Sequence, residues 1–300
     1  MRLPPSLPRP KWVRKGSDTK QTLVPDGLQH PKFTARKSDK SNYLLCNRAS
    51  VAILTEYGGS KRRAGTNIYP LLADHIAHLL RLRVLQELEL LADKLQTLLN
   101  KPKQLQPKLN SRVIRRLTRA EWNNLRTEGI VPYPNAIAII VLPPLRKDPI
   151  TKQPPKPSMS AAPLVPDPAT PKPRPFSLPL CTMHPVVPYP WARGQCEGIL
   201  PAAQVPLYNG VALFPLPSQR AALHALLTRL LGFERASRHE VNARDDTRAS
   251  HAFLLTSDVE SVLRGDVAAV AIALWRVKMF EDAEEDVASQ STLGWEHSRR

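Results

Sequence analysis

The sequence is short of glycine, with 12 in 300 residues, where average usage is about 7%. It contains no glycine-rich phosphate loop, no G-x-S-x-G elbow and no H-E-x-x-H pair. These absences exclude the chemistries built on such motifs, and a nucleotide-binding Rossmann unit is not expected. Cysteine is scarcer still. Cys46, Cys181 and Cys196 are the full set; an odd number at wide spacing makes no disulfide framework, so a reducing compartment is expected. Long apolar runs are also missing. The longest, 267–275, has nine residues, and crossing a bilayer takes about 20. Residues 1–16 lack the apolar core of a secretory signal. The expectation is a soluble intracellular protein without a transmembrane segment.

Acidic residues are lacking in one region only. Residues 1–120 hold 24 Lys or Arg against 8 Asp or Glu, a net of +16. Residues 121–300 hold 19 against 18, a net of +1, so nearly all of the chain's +17 is N-terminal. Charge concentrated in this way points to contact with a polyanion rather than to general solubility. Arg2, Arg9, Lys11, Arg14 and Lys15, with no acid among the first 17 residues, suit an organelle presequence. Pro4, Pro5, Pro8 and Pro10 oppose the amphipathic helix such a presequence forms. A mitochondrial location is placed ahead of a nuclear or cytoplasmic one.

Proline, in contrast, is abundant: 31 residues, about twice the average share. Sixteen fall in the 48 residues of 143–190, which reads as an extended excursion forming neither helix nor sheet ladder. The expected organisation is a disordered basic arm or presequence (1–42), a basic helical region (43–128) and a small α+β unit made from 129–145 and 205–285. A Pro-rich linker or insertion (146–204) and a disordered tail (286–300) complete it. The fold class is α-rich mixed α+β.

Periodicity supplies the elements. Leu80, Val84, Leu88, Leu91, Leu95 and Leu98 recur every three or four residues, predicting a helix over 70–100 with a continuous apolar stripe. Leu82, Leu85, Leu90 and Leu99 widen it, so this helix needs a partner, in this chain or in another protein. A second helical stretch is predicted over 110–126. Within it, Thr118-x-x-Glu121 has the form of a capping box, so two helices meeting at Thr118 would also fit; Gly129 ends the stretch. Strands are predicted over 135–142, 209–214 and 251–256, joined in one sheet. Helices over 218–231 (stopped at Gly232) and 267–281 (capped by Asp266) cover it, with a short helix from Ser257 to Gly265 between. Trp275 is expected in the core.

The candidate binding residues are Arg112, Arg115, Arg116 and Arg119. At about 100° per residue they share one helical face, with Val113, Ile114 and Leu117 opposite. Guanidinium groups so arranged repel one another until phosphates neutralise them. Lys101, Lys103 and Lys108 just upstream, and Lys61, Arg62 and Arg63, extend the same surface. An ordinary solvated face is the plainer alternative, which the regional excess of charge disfavours. Aromatics able to stack on bases are sparse (Trp12, Tyr43, Tyr57, Tyr69 and Trp122), so backbone or shape contact is expected over base reading.

Other constellations carry less. Cys181-x-x-His184 with Cys196, and Cys46 as a distant fourth, departs from zinc spacing. His75 and His78, one turn apart beside Asp74, lack a third ligand. The polar run from His239 to His251 brings imidazoles and carboxylates together but matches no site pattern. No catalytic residue, metal or cofactor is assigned. The expected function is a non-enzymatic nucleic-acid-associated protein, RNA favoured over DNA. It would serve mitochondrial gene expression as a ribosome-associated or genome-maintenance factor. The alternative is a protein–protein adaptor, docking a partner helix on 70–100 and offering the Pro-rich segment as a ligand.

Overall fold

The computed structural model describes residues 2–3, 21–23, 25–33, 42–57, 66–69, 71–101, 111–160, 179–188, 202–237 and 249–281. In chain order the elements are β1 (Arg2–Leu3), β2 (Gln21–Leu23), β3 (Asn42–Tyr43), α1 (Arg48–Tyr57), β4 (Thr66–Ile68), α2 (Leu72–Leu99), β5 (Ile114–Thr118) and α3 (Arg119–Glu128). There follow β6 (Ala136–Val141), β7 (Cys181–Pro185), β8 (Gln204–Asn209), α4 (Gly210–Leu213), α5 (Pro217–Ser237), β9 (Ala249–Thr256), α6 (Val259–Arg264) and α7 (Val267–Glu281). The fold is mixed α and β. No helix among the described residues is long and apolar enough to cross a membrane.

The chain forms two compact units, 1–83 with 273–300, and 84–272. In the first, β1 pairs with β3 antiparallel and β2 with β4 parallel. Arg48 of α1 bonds both Asp74 of α2 and Glu281 of α7, the latter at 3.2 Å, and Arg81 meets Glu281 at 2.7 Å. Three helices are thus tied by Arg48 and by the Glu281 carboxylate that two arginines share, in a unit whose buried residues include Val51, Ile76 and Leu80.

The second unit is built on a five-stranded sheet of order β5-β9-β6-β8-β7. β6 and β8 are parallel, and β9 runs antiparallel to both β6 and β5. Hence β5, β6 and β8 point the same way and their carboxyl ends share one edge. The predicted strands 135–142 and 251–256 are there, Ile140 opposite Phe253. One face packs Leu117, Ile139, Val205, Ala252 and Leu254 beneath Leu125 and Trp122 of α3. Burial on both faces explains the near-continuous apolar run AIAIIV of β6.

Several expectations change. Residues 114–118, read as helix, are an edge strand. Ile114 and Leu117 are both buried although they lie on opposite faces, and a spacing of three imitates helical periodicity. The capping box is real, and it starts α3 directly after the strand: Thr118 Oγ1 accepts from Glu121 N, and Glu121 accepts from Thr118 N. Gly129, at φ 69°, ends α3 in the left-handed conformation. The expected strand 209–214 sits one element early, at 204–209. Asn209 Oδ1 accepts from Val211 N at 3.0 Å, so this N-cap turns the run NGVALF into α4.

The Pro-rich stretch does form a ladder in one place. β7 pairs antiparallel with β8, Thr182 opposite Leu207, with Pro185 at its end, where the missing N–H costs little. α5 continues past Gly232 to Ser237 because Glu234, buried two residues later, is held by Arg264 at 3.0 Å. α6 is capped by Asp258 rather than Ser257, whereas Asp266 Oδ1 does accept from Ala269 N ahead of α7. Trp275 is 39% exposed, with Lys278 Nζ 5.0 Å from its ring centre, while Val270, Leu274 and Val277 are fully buried. The tryptophan lies about 130° off the buried stripe of α7.

Candidate nucleic-acid interface

Residues Lys61, Arg62, Arg63, Lys103 and Lys108 lie outside the described residues, as do Cys196 and His239. Lys101 is exposed just past α2. The four arginines are described, and β5 disperses them. Strand alternation sends Arg115 and Arg116 to opposite faces of the sheet, so the single basic helical face does not exist.

Arg115 serves the fold. Its Nη1 and Nη2 donate to Glu121 Oε1 at 2.9 and 3.0 Å, and the guanidinium stacks 4.2 Å from the Tyr133 ring centre. Tyr133 Oη donates to the same carboxylate at 2.6 Å. Burial pushes the Glu121 carboxyl up, but the Tyr133 hydroxyl, the Thr118 N–H and Arg115 outweigh it and bring the pKa down to about 2. Burial and the bond to Glu121 raise the Tyr133 phenol. Arg119, first residue of α3, is exposed, and Arg112 is half-buried.

Arg116 lies on the other face. Its Nε donates to Ser250 O at 2.6 Å and its guanidinium sits 5.8 Å from the Phe253 ring centre. Beside it are two histidines that the sequence places far away, His224 on α5 and His251 at the start of β9. His251 is exposed and His224 half-buried. Burial lowers the His224 pKa, and the charges of Arg116 and His251 lower it further. One turn earlier on α5, Arg220 donates to the carbonyls of Phe214 and Pro215 at 3.0 and 2.9 Å. Its pKa is pulled below the ordinary guanidinium value by burial and then by Arg146.

Arg116 and His251 share one face of the sheet through the pairing of β5 with β9; their charges reach His224 on α5, as that of Arg146 reaches Arg220. Gly210 allows the start of α4 to approach the end of β6. A Cβ there would come within 2.8 Å of both Val141 O and Leu142 Cδ1. Sequence reasoning included Arg116, and it took His251 only as the end of a polar run that matches no site pattern. His224, Arg220 and Arg146 were missed, since each is an isolated cation on an otherwise ordinary segment.

Of the metal-like triplet, Cys181 and His184 are described and Cys196 is not. Cys181 and His184 are three apart on β7 and face opposite sides of the sheet; His184 is engaged with Gly129 O at 3.1 Å and Thr182 Oγ1 at 3.0 Å. Among the described residues no group of three or more potential metal ligands is found. Burial lowers the pKa values of His75 and His78, and His75 and Arg81 add to the effect at His78. Comparison of the chain with models of protein families, with curated proteins and with solved structures finds no match.

Proposed function

We propose that this chain is a non-enzymatic nucleic-acid-associated protein that contacts the phosphate backbone, with RNA as the preferred partner. The observation that carries the reading is the regional excess of +16 over residues 1–120, since a cationic field of that size favours and speeds encounter with a polyanion. Arg116 and His251, which share one face of the sheet, bring two cation-forming groups together there, and an anion lowers the free energy that their repulsion raises.

A basic helix made for a DNA groove is not among the described elements that carry the arginines, because β5 separates Arg115 and Arg116 from α3. That favours recognition through phosphates and shape, the usual mode for RNA. On this reading the setting is mitochondrial gene expression. The adaptor alternative has less support. Leu80, Val84, Leu88, Leu91 and Leu95 of α2 are buried within this chain, so the stripe reads as core.

Filter binding of the full chain to single-stranded RNA, structured RNA and duplex DNA tests the class. The expected result is an affinity that falls steeply with salt and drops at least tenfold when Arg116, Arg119 and Arg146 are changed to Glu. Affinity indifferent to salt, or retained in that variant, would remove the reading. Arg115 is left out of the variant because its loss would strip Glu121 of a partner.

A further inference from the structure

On the reading of the chain as nucleic-acid-associated, we propose that the arm of residues 143–157 is one of its contacts. Arg146, Lys147, Lys152 and Lys156 take backbone phosphates, and Ile150 at the tip packs against a base.

The arm is the first part of the Pro-rich stretch, and it is held at both ends. Just past β6, Leu142 is buried and donates its N–H to His251 O at 2.8 Å. At the far end Ser158 N donates to Ser218 O at 3.1 Å, and the buried Gln219 of α5 donates from Nε2 to Met159 O at 3.0 Å. Between these anchors six of fifteen residues are proline, which fixes φ and leaves little freedom to lose on binding. The tip is folded on itself. Asp148 N donates to Gln153 O and Lys152 N to Asp148 O, both at 2.9 Å. The Asp148 carboxylate accepts from Ile150 N and from Thr151 Oγ1, each at 3.0 Å.

This ordered turn displays cations and one apolar side chain. Every residue from 146 to 154 is exposed, as is Lys156, and Ile150 is 89% exposed. Four cations stand against one acid, Asp148, whose oxygens are taken up by the turn. The net +1 of residues 121–300 would be −2 without the arm's +3, so the arm supplies the whole positive excess of that part of the chain. Lys152 is the sharpest sign. Among the described residues it is the one non-glycine with a positive φ, at 57°. A β-carbon is disfavoured in that conformation, which glycine or asparagine adopts more readily. Turn geometry therefore does not explain a lysine here, whereas a phosphate to be held does.

A bilayer with anionic headgroups would also attract these cations. A single isoleucine, however, buries less than one acyl chain, which alone gives only marginal membrane binding. The same side chain suffices to wedge at a base step.

Filter binding and fluorescence of the full chain with a single-stranded RNA carrying 2-aminopurine in place of its adenines test the contact. Lys147→Gln, Lys152→Asn and Lys156→Gln together should weaken binding at least tenfold at 100 mM salt. They should also reduce the slope of log affinity against log salt by about two, at roughly 0.7 per phosphate contact on a single strand. Because Lys152→Asn relieves the left-handed turn, the Tm of this variant should be no lower than the wild type's. Weaker binding accompanied by a lowered Tm would mark the lysines as structural and sink the assignment. Ile150→Ser should keep the salt slope and abolish the rise in 2-aminopurine fluorescence that the wild-type chain produces; an unaltered rise would remove the base contact. A triple variant with the wild-type slope would overturn the arm and leave the wider reading standing. No binding of RNA or duplex DNA by the wild type would overturn both. Co-sedimentation with phosphatidylglycerol-containing vesicles, lost in Ile150→Ser, would then identify the arm's anion as lipid.

Discussion

Glu121 ties the edge strand β5 to the start of α3. Its carboxylate receives Arg115, Tyr133 and the Thr118 N–H that completes the cap of α3. Glu121→Gln should cost about 1–2 kcal/mol, allowing for the screening of a partly exposed group, as read by urea unfolding at pH 7. Because the folded pKa of about 2 lies below the ordinary 4.5, this contribution is present above pH 4.5 and lost as pH falls through 2. The variant's stability should accordingly vary less than the wild type's between pH 5 and 2. Gly210 offers a steric counterpart. Gly210→Ala places a methyl against a backbone carbonyl that cannot move away, and should lower stability by about 1–3 kcal/mol, measured by thermal unfolding.

At the scale of elements, one buried ion pair explains why β5 is a strand and why α5 is long. Glu234 and Arg264 meet at 3.0 Å with 4% and 3% of their side chains exposed. Glu234 also accepts from Val113 N at 3.0 Å, and Arg264 donates to Ser111 O at 2.9 Å. The residues leading into β5 are thereby pinned between the ends of α5 and α6. Arg264→Met should cost about 3–5 kcal/mol by leaving a carboxylate buried without its cation. Glu234→Gln should cost less, since the amide oxygen still accepts from both donors; equal losses in the two variants, by chemical denaturation, would contradict this account. None of it was legible beforehand, because Glu234 and Arg264 look like ordinary helix-surface charges. The elements that were legible had strong local signals: the leucine stripe of α2, the run AIAIIV of β6, the capping box at Thr118. β5 had only a spacing of three, which a strand buried on both faces shares with a helix.

For the whole molecule, charge is the governing quantity. With +17 on 300 residues, binding that neutralises six phosphates of a single strand should weaken about 300-fold between 50 and 200 mM salt. A slope near zero in filter binding would mean that the charge serves something other than a polyanion. The amount of that charge, its concentration before residue 120 and strongly patterned segments such as α2 and β6 follow from composition and local periodicity, which depend only on neighbours in the chain. Which cations stand together does not. Arg116 and His251 lie 135 positions apart in the chain and stand on one face because strand pairing is non-local. Register then decides which face each side chain takes, and hence that Arg115 is bound to a carboxylate while Arg116 shares a face with His251.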